Sequence, residues 1–505
     1  MKIINKIGQF ICPEEGLNLI KLTLILSWIS IFLSLAFNPY DLVIFSNYMN
    51  FKNFFFTNFE FTKTVIIIIG VSTIFFFPIL LFIIFKFHLS NKINIKSNML
   101  FILSIVYFLL QFIGLITTEN SFYNSYFLFN SIASLIILYI STKIFSEKDY
   151  EIIFNIIVFL LTLSLIFYSF QYFSSYFTSS NNLYSVWGNI KGSIEFGVPR
   201  PTGLSRTATI VLVFLTFYPI ENNSYVRIKL FLMSLCVAIV VILGSRSSMG
   251  LLLIFLILLL FISIRENNLQ IKEFFKTYIY FPFMIIIFIL LTKFTILQLV
   301  KYQVITVPMP DDEHSIQSAL NTSLYKQNQN ERTWAILFRE FPSVETTHQG
   351  NFSSGRFADW KNIATVLFFN KKNSFKEDGK TGWVLNIFNN PNINMRLFTG
   401  FGVQGDRFLI NQSASNSLVY AAASGGVAGL IALILFSIIG LYYAINCIFT
   451  INKKRFSWYQ KASSIIILMI LARSLLESSY AVFGIDSILF ALCAITLGKK
   501  FDKIS

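Results

Sequence analysis

The sequence predicts an all-α fold, a polytopic membrane bundle of about 12 transmembrane helices with one large outward-facing loop domain. Three observations lead there. Of 505 residues, 55% are hydrophobic and only 13% charged, with a mean hydropathy of +0.66, whereas a soluble globular chain carries about 25% charged residues. The apolar residues come in repeated blocks close to the span of about 20 residues that crosses a bilayer as a helix. Lysine and arginine, finally, are unevenly shared between alternate connections, which is how a membrane bundle fixes its orientation.

The apolar stretches run over 17–37, 64–85, 99–116, 126–142, 152–170, 205–220, 228–243, 248–264, 278–299, 417–449, 463–477 and 485–497. They are too long and too continuously apolar for barrel strands, and helices satisfy their own backbone in lipid. The first follows Lys2 and Lys6, exceeds a signal-peptide core and lacks a small-x-small cleavage site, so it reads as a retained span. With the amino terminus inside, the inner connections carry Lys86, Lys92, Lys96, Lys143, Lys148, Arg227, Lys229, Arg265, Lys272, Lys276, Lys453, Lys454, Arg455, Lys461, Lys499, Lys500 and Lys503. Four short outer connections hold only Lys52, Lys63, Arg246 and Arg473. An even number of spans then puts both termini in the cytoplasm. The formal charge of +15 is therefore mostly a topology signal and gives no reason to invoke nucleic acid. The chain divides into nine helices with short loops over 1–299, a large loop over 300–412, and three helices over 413–505.

Two hydrophilic segments fall outside, 171–204 and 300–412, the second with 12 basic and 10 acidic residues. Within it Phe357, Trp360, Ile363, Ala364, Leu367 and Phe368 recur at three- and four-residue spacing after Ser353, Ser354 and Gly355. That pattern predicts a capped amphipathic helix lying on the membrane or roofing the bundle, with Arg356 in its first turn and Trp360 packed inward. Cys12, Cys236, Cys447 and Cys493 offer neither a disulfide framework nor a metal-ligand cluster. Gly425 and Gly429, with Ser424 and Ala428, read as a close helix-packing face.

The chemistry gathers at arginines. Inward basic residues are mostly lysine, whereas Arg200, Arg206, Arg246 and Arg473 face outward against the prevailing bias. A guanidinium presents a fixed fork of donors suited to phosphate, so this group points to a phosphorylated or pyrophosphorylated lipid ligand. Pro199 and Pro201 flank Arg200, and Ser205 reads as the cap of the next helix with Arg206 in its first turn. A cation there opposes the helix dipole unless an anion joins it. Gly244-Ser245-Arg246-Ser247-Ser248 repeats the arrangement, with amides at a helix start as further donors. Taken singly, each arginine could instead snorkel to headgroups or pair with an acid such as Glu195.

These blocks resemble a family. Arg200-Pro-Thr-Gly-Leu-Ser-Arg206, Gly244-Ser-Arg-Ser-Ser-Met-Gly250, Ser354-Gly-Arg-Phe-Ala-Asp-Trp360 and Gly400-Phe-Gly-Val-Gln-Gly-Asp-Arg-Phe408 occur in order, followed by Asn416-Ser-Leu418 and Gly425-Gly-Val-Ala-Gly-Leu430. The ordered set, over about 200–435, is similar to the O-antigen polymerase and O-antigen ligase superfamily of bacterial inner-membrane proteins. The resemblance implies a large periplasmic loop and action at the periplasmic face on glycans carried by undecaprenyl pyrophosphate. A sugar hydroxyl of one glycan would attack the anomeric carbon of another, with the lipid pyrophosphate leaving. With the reading of the arginines above, it gives Arg246 and Arg206 as catalytic candidates, to which His348 and Asp406 are added below, and contacts to pyrophosphate or glycan from Arg200, Arg206, Arg246, Arg356, Arg407 and Asn416. Membrane lipids, a chain-length regulator and a flippase are the implied partners. No cofactor or metal is expected, since the donor carries its own leaving group, and Asp311-Asp312-Glu313 reads as a solvated turn.

One departure matters: the family often has a histidine before the asparagine, where this chain has Ser415. A serine cannot act unaided as general base, which leaves His348, Glu195 and Asp406 as substitutes. The readings to be separated are a polymerase of lipid-linked repeats, a ligase transferring glycan to lipid A core, and a lipid-linked oligosaccharide flippase or transporter. The last would carry internal repeats and charged or broken helices near the midplane.

Overall fold

The computed structural model describes residues 13–36, 99–115, 121–178, 201–219, 223–243, 246–265, 356–369, 395–403, 405–410, 414–450, 456–477, 479–480 and 484–502. Every regular element among them is a helix: α1 Pro13–Ala36, α2 Met99–Leu115, α3 Ser121–Ile144, α4 Glu147–Thr178, α5 Pro201–Phe217, α6 Asn223–Leu243, α7 Arg246–Arg265, α8 Arg356–Phe369, α9 Met395–Thr399, α10 Gly405–Ile410, α11 Ser417–Thr450, α12 Trp458–Ser474 and α13 Ile485–Asp502. The predicted spans at 64–85 and 278–299 lie outside the described residues, and each of the other apolar stretches coincides with a helix. Glu147–Ser169 and Ser417–Thr450 are long and apolar enough to cross a membrane.

Local chemistry sets several helix starts. Ser146 and Asp149 cap α4 reciprocally: the Ser146 amide donates to Asp149 Oδ2 at 2.8 Å and the Asp149 amide to Ser146 Oγ at 3.4 Å. Ser457 and Gln460 repeat this box at α12. At α11 the Asn416 side-chain oxygen receives the amides of Leu418 and Val419 at 2.9 and 3.1 Å. Helix α5 begins at Pro201, four residues before the predicted cap Ser205, because proline at a first helical position lacks only an N–H that would have no partner there. Ser205 is thus inside the helix, its carbonyl accepting from Thr209 Oγ1, and Arg206 stands in the second turn. Arg246 likewise is the first residue of α7 rather than part of a preceding turn.

Helix α13 is the buried centre of the bundle. Leu489, Phe490, Leu492, Cys493, Ala494 and Leu497 are fully excluded from solvent, and α1, α2, α3, α11 and α12 pack around it. The Phe490 ring lies on Gly440 of α11, where an added Cβ would strike the ring tip and force it to shift. The outward faces are apolar as well: Ile102, Val106, Leu109 and Phe112 line the exposed side of α2, and Ile431, Ile434, Ile438 and Ile445 that of α11. Soluble domains rarely carry apolar outer surface so extensively.

Charge separates to opposite ends of this bundle. At one end Lys21 meets Asp149 at 3.0 Å, Lys500 meets Glu147 at 3.2 Å, and Lys499 Nζ donates to the Thr142 and Phe145 carbonyls at 2.6 and 2.8 Å. Lys229 closes the end of α5 through the Thr216 and Tyr218 carbonyls. Helix α12 starts at this end and α13 finishes there, so the last turn of α12, with Arg473, and the first turn of α13, with Asp486, lie at the other.

Candidate functional site

The arginine end is built where α2, α5, α11, α12 and α13 meet. Arg206 of α5, Arg473 in the last turn of α12 and Asp486 in the first turn of α13 form one buried charge cluster. The guanidinium of Arg473 is paired with Asp486 Oδ2 through Nη1, and Arg206 Nε lies 3.7 Å from Asp486 Oδ1. The two arginine side chains are each 7% exposed and the carboxylate between them 2%. Both guanidiniums thus face the same carboxylate. Buried ions are tolerated only when paired and hydrogen-bonded, and the Arg473 Nε makes no hydrogen bond among the described residues.

Around the cluster the helix ends are tied by polar contacts. Asn416 Nδ2 donates to the Leu475 carbonyl at 3.0 Å and Ser417 Oγ to the Glu477 carbonyl at 3.0 Å. Tyr107 of α2 donates to the Tyr480 carbonyl at 3.2 Å, and Tyr420 of α11 to Gln111 Oε1 at 3.3 Å. These bonds hold the turn after Arg473 against the start of α11, so the position of one guanidinium is set by three helices.

Beside it, a loop is threaded into a helix. Helix α11 is interrupted at Gly426, whose φ of 64° and ψ of −163° are not helical, in a region accessible essentially to glycine. The carbonyls of Ala423 and Ser424, released by the break, accept the amides of Phe401 and Gly402 at 2.8 and 2.9 Å. Gly400 and Gly402, with φ of 64° and 82°, shape the loop that delivers those amides. A Cβ on Gly400 would stand 2.6 Å from the Gly425 and Gly426 nitrogens, and one on Gly426 would strike the Phe398 backbone. The apolar stretch 417–449 is therefore two helical pieces rather than one continuous span. Its glycines do more than the predicted packing face: Gly425 does rest against Leu110 and Gln111 of α2, whereas Gly426 receives a loop. Arg396 supports this loop from α9, its guanidinium 4.8 Å from the Phe401 ring centre.

Helix α8 matches the predicted amphipathic helix and covers the loop. Ile363 and Leu367 are buried with Leu409 of α10, Ala414, and Ala423 of α11. Trp360, half-buried, donates its indole N–H to the Ala414 carbonyl at 2.7 Å. The Ala414 amide in turn donates to Asp406 Oδ2 at 2.8 Å, with Asp406 2% exposed. Next in the chain, Ser415 has a positive φ of 49°, an uncommon backbone for a non-glycine residue and one often found at functional sites.

The expected site residues fall into three groups. Arg206, Asp406 and Asn416 are described and lie at the arginine end, Asn416 with its amide occupied as a cap and a bridge. Arg246, Arg356 and Arg407 are described by backbone alone, at the starts of α7 and α8 and within α10. Arg200, Glu195, His348 and the Asp311–Glu313 run lie outside the described residues. Asp486, Arg396 and Tyr420 were missed. An acidic residue in the first turn of a predicted apolar helix was the available signal for Asp486. Compared with protein-family models, curated proteins and solved structures, the chain matches none.

Proposed function

We propose that this chain is an integral-membrane glycosyltransferase of the bacterial inner membrane, an O-antigen polymerase that joins undecaprenyl-pyrophosphate-linked repeat units at the periplasmic face. In this reading about 12 spans cross the membrane, the lysine end and both termini face the cytoplasm, and the arginine end with the large loop faces the periplasm. The observation that carries it is the buried Arg206–Asp486–Arg473 cluster, which keeps two guanidiniums against one carboxylate. Ionisable residues so placed in a membrane bundle are expensive and mark functional sites. In the reaction the acceptor hydroxyl oxygen bonds to the anomeric carbon and the bond from that carbon to the pyrophosphate oxygen breaks. The hydroxyl proton passes to a base, for which Asp406 and His348 are the candidates. Negative charge grows on the leaving pyrophosphate, where preorganised guanidiniums stabilise it most.

The test is direct. Purified protein given only the lipid-linked repeat unit extends it in the presence of EDTA, without nucleotide sugar. Loss of extension in EDTA, restored by magnesium or manganese, would overturn the metal-free mechanism and move Asp311–Glu313 from a solvated turn to a metal site. A ligase differs only in acceptor: a deletion strain making core capped by a single repeat points to a lost polymerase, and bare core with long carrier-linked chains to a lost ligase. One observation favours a transporter of lipid-linked glycan, the interruption of α11 at Gly426, since transporters use broken helices. Movement of a radiolabelled lipid-linked glycan across vesicles without chain growth would select that reading.

A further inference from the structure

We infer that Glu477 is the general base of the proposed reaction, taking the proton of the acceptor sugar hydroxyl as that oxygen bonds to the anomeric carbon. The inference rests on the proposed glycosyl transfer and supplies the group that the sequence leaves open at Ser415. Polarity is inverted in the segment that follows α12. Leu475 and Leu476 are 57% and 48% exposed, whereas Glu477 beside them is 9% exposed. Surface leucines are ordinary, but a buried glutamate is rare unless it is paired. Arg473 stands four residues earlier, at the spacing of a helical ion pair, and its guanidinium is paired with Asp486 instead. Every bond of Glu477 among the described residues is made by its backbone. The amide donates to the Arg473 carbonyl at 2.9 Å, and the carbonyl accepts the Ser417 hydroxyl at 3.0 Å and the Ser479 amide at 2.9 Å. In the same turn Ser479 Oγ is also buried and without a hydrogen-bond partner among the described residues. A carboxylate and a hydroxyl left over together suit a ligand that brings its own hydroxyl groups.

The backbone bonds bring Glu477 to the start of α11. Asn416 Nδ2 on the Leu475 carbonyl and Ser417 Oγ on the Glu477 carbonyl lace the two segments together immediately after Ser415. Ser415 stands where the family carries its histidine, and its positive φ of 49° turns the chain at that point. The other buried acids at this end have visible structural work: Asp406 holds the Ala414 amide and Asp486 holds Arg473. Protonating either would weaken those contacts in every turnover, whereas Glu477 can take a proton without releasing a bond made among the described residues. In the step itself the Glu477 carboxylate takes the hydroxyl proton and the oxygen electron pair forms the bond to the anomeric carbon. The electron pair of the breaking carbon–oxygen bond leaves with the pyrophosphate, and the proton returns to water before the next turnover.

The experiment uses full-length protein in nanodiscs of phosphatidylcholine and the undecaprenyl-pyrophosphate-linked repeat isolated from a deletion strain of the same bacterium. Thermal melt, binding of that lipid and rate of extension are measured for the wild type, Glu477→Gln and Glu477→Ala, the last with and without formate. Glu477→Gln keeps the shape and removes the base. It is expected to melt and bind as the wild type does and to extend the repeat at least about 100-fold more slowly, the lower end of general-base catalysis. Formate supplies an external carboxylate and is expected to restore part of the turnover of Glu477→Ala and none of that of Glu477→Gln, whose amide fills the space; a side chain with a structural role alone gives no such rescue. If Glu477→Gln does not fold, the formate dependence of Glu477→Ala decides the matter alone. Wild-type extension by folded Glu477→Gln overturns the inference, as does turnover of Glu477→Ala that formate leaves unchanged, or failure of both variants to fold; the functional reading survives all three. Failure of the wild type to extend the lipid-linked repeat overturns the functional reading and the inference with it.

Discussion

Replacing Gly426 by alanine tests whether the interrupted helix and its inserted loop form one device. At φ 64° and ψ −163° the backbone is strained for any residue with a Cβ, at about 1 to 3 kcal/mol. The added methyl also strikes the Phe398 backbone, which a side-chain rotation cannot relieve. If the loop withdraws to make room, the bonds from the Phe401 and Gly402 amides are lost, each worth about 0.5 to 1.5 kcal/mol net. The whole perturbation amounts to about 2 to 6 kcal/mol. Two controls sharpen it. Gly425 is adjacent but has ordinary space, its nearest neighbours at 3.7 and 3.8 Å, and Gly250 near the start of α7 has nothing within 4 Å. Gly425→Ala is expected to be close to neutral, and Gly250→Ala neutral or stabilising by up to about 1 kcal/mol through helix propensity. The assay is the thermal melt of the three purified variants in one detergent, together with extension of a lipid-linked repeat. Gly426→Ala melting with the wild type, or falling no further than Gly425→Ala, would refute the reasoning.

Three further outcomes follow from particular contacts. Trp360→Phe keeps the ring and removes the donor to Ala414, which weakens the seating of α8 by about 1 kcal/mol; limited proteolysis within α8 is expected to quicken, and an unchanged cleavage rate would show the bond to be incidental. Asp406→Ala strands the Ala414 amide, at about 1 to 3 kcal/mol, while Asp406→Asn keeps an acceptor and loses less stability; if the carboxylate also serves as base, both variants lose turnover, and an active Asp406→Asn excludes that role. At the lysine end, Lys499→Ala leaves the Thr142 and Phe145 carbonyls without their donor and lowers the melt clearly. Lys500→Ala breaks only an exposed pair with Glu147, worth about 0 to 1 kcal/mol, so a larger loss at Lys500 than at Lys499 would contradict this assignment.

Periodicity and composition alone marked ten stretches that are helical among the described residues, those at 64–85 and 278–299 lying outside them, because an apolar run of bilayer length has one way to satisfy its backbone in lipid. They also determined α8, whose residues from Phe357 to Phe368 carry the spacing of a helix with one buried face, and that face is buried as Ile363 and Leu367 show. The departure of a few arginines from otherwise lysine-rich connections was visible without coordinates, and Arg206 and Arg473 were among those singled out. That the two share a carboxylate was not visible, since Asp486 lies 280 residues from Arg206 and only the packing of α5, α12 and α13 brings them to 3.7 Å. The interruption at Gly426 was equally hidden. Gly425-Gly426 inside an apolar run reads the same whether a helix or a loop lies against it, and the left-handed backbone follows from the Gly400–Gly402 loop occupying the space where a continuous helix would bond to itself. Helices are local and are written in the order of residues, whereas a charge cluster and a helix break are decided by what the rest of the chain places beside them.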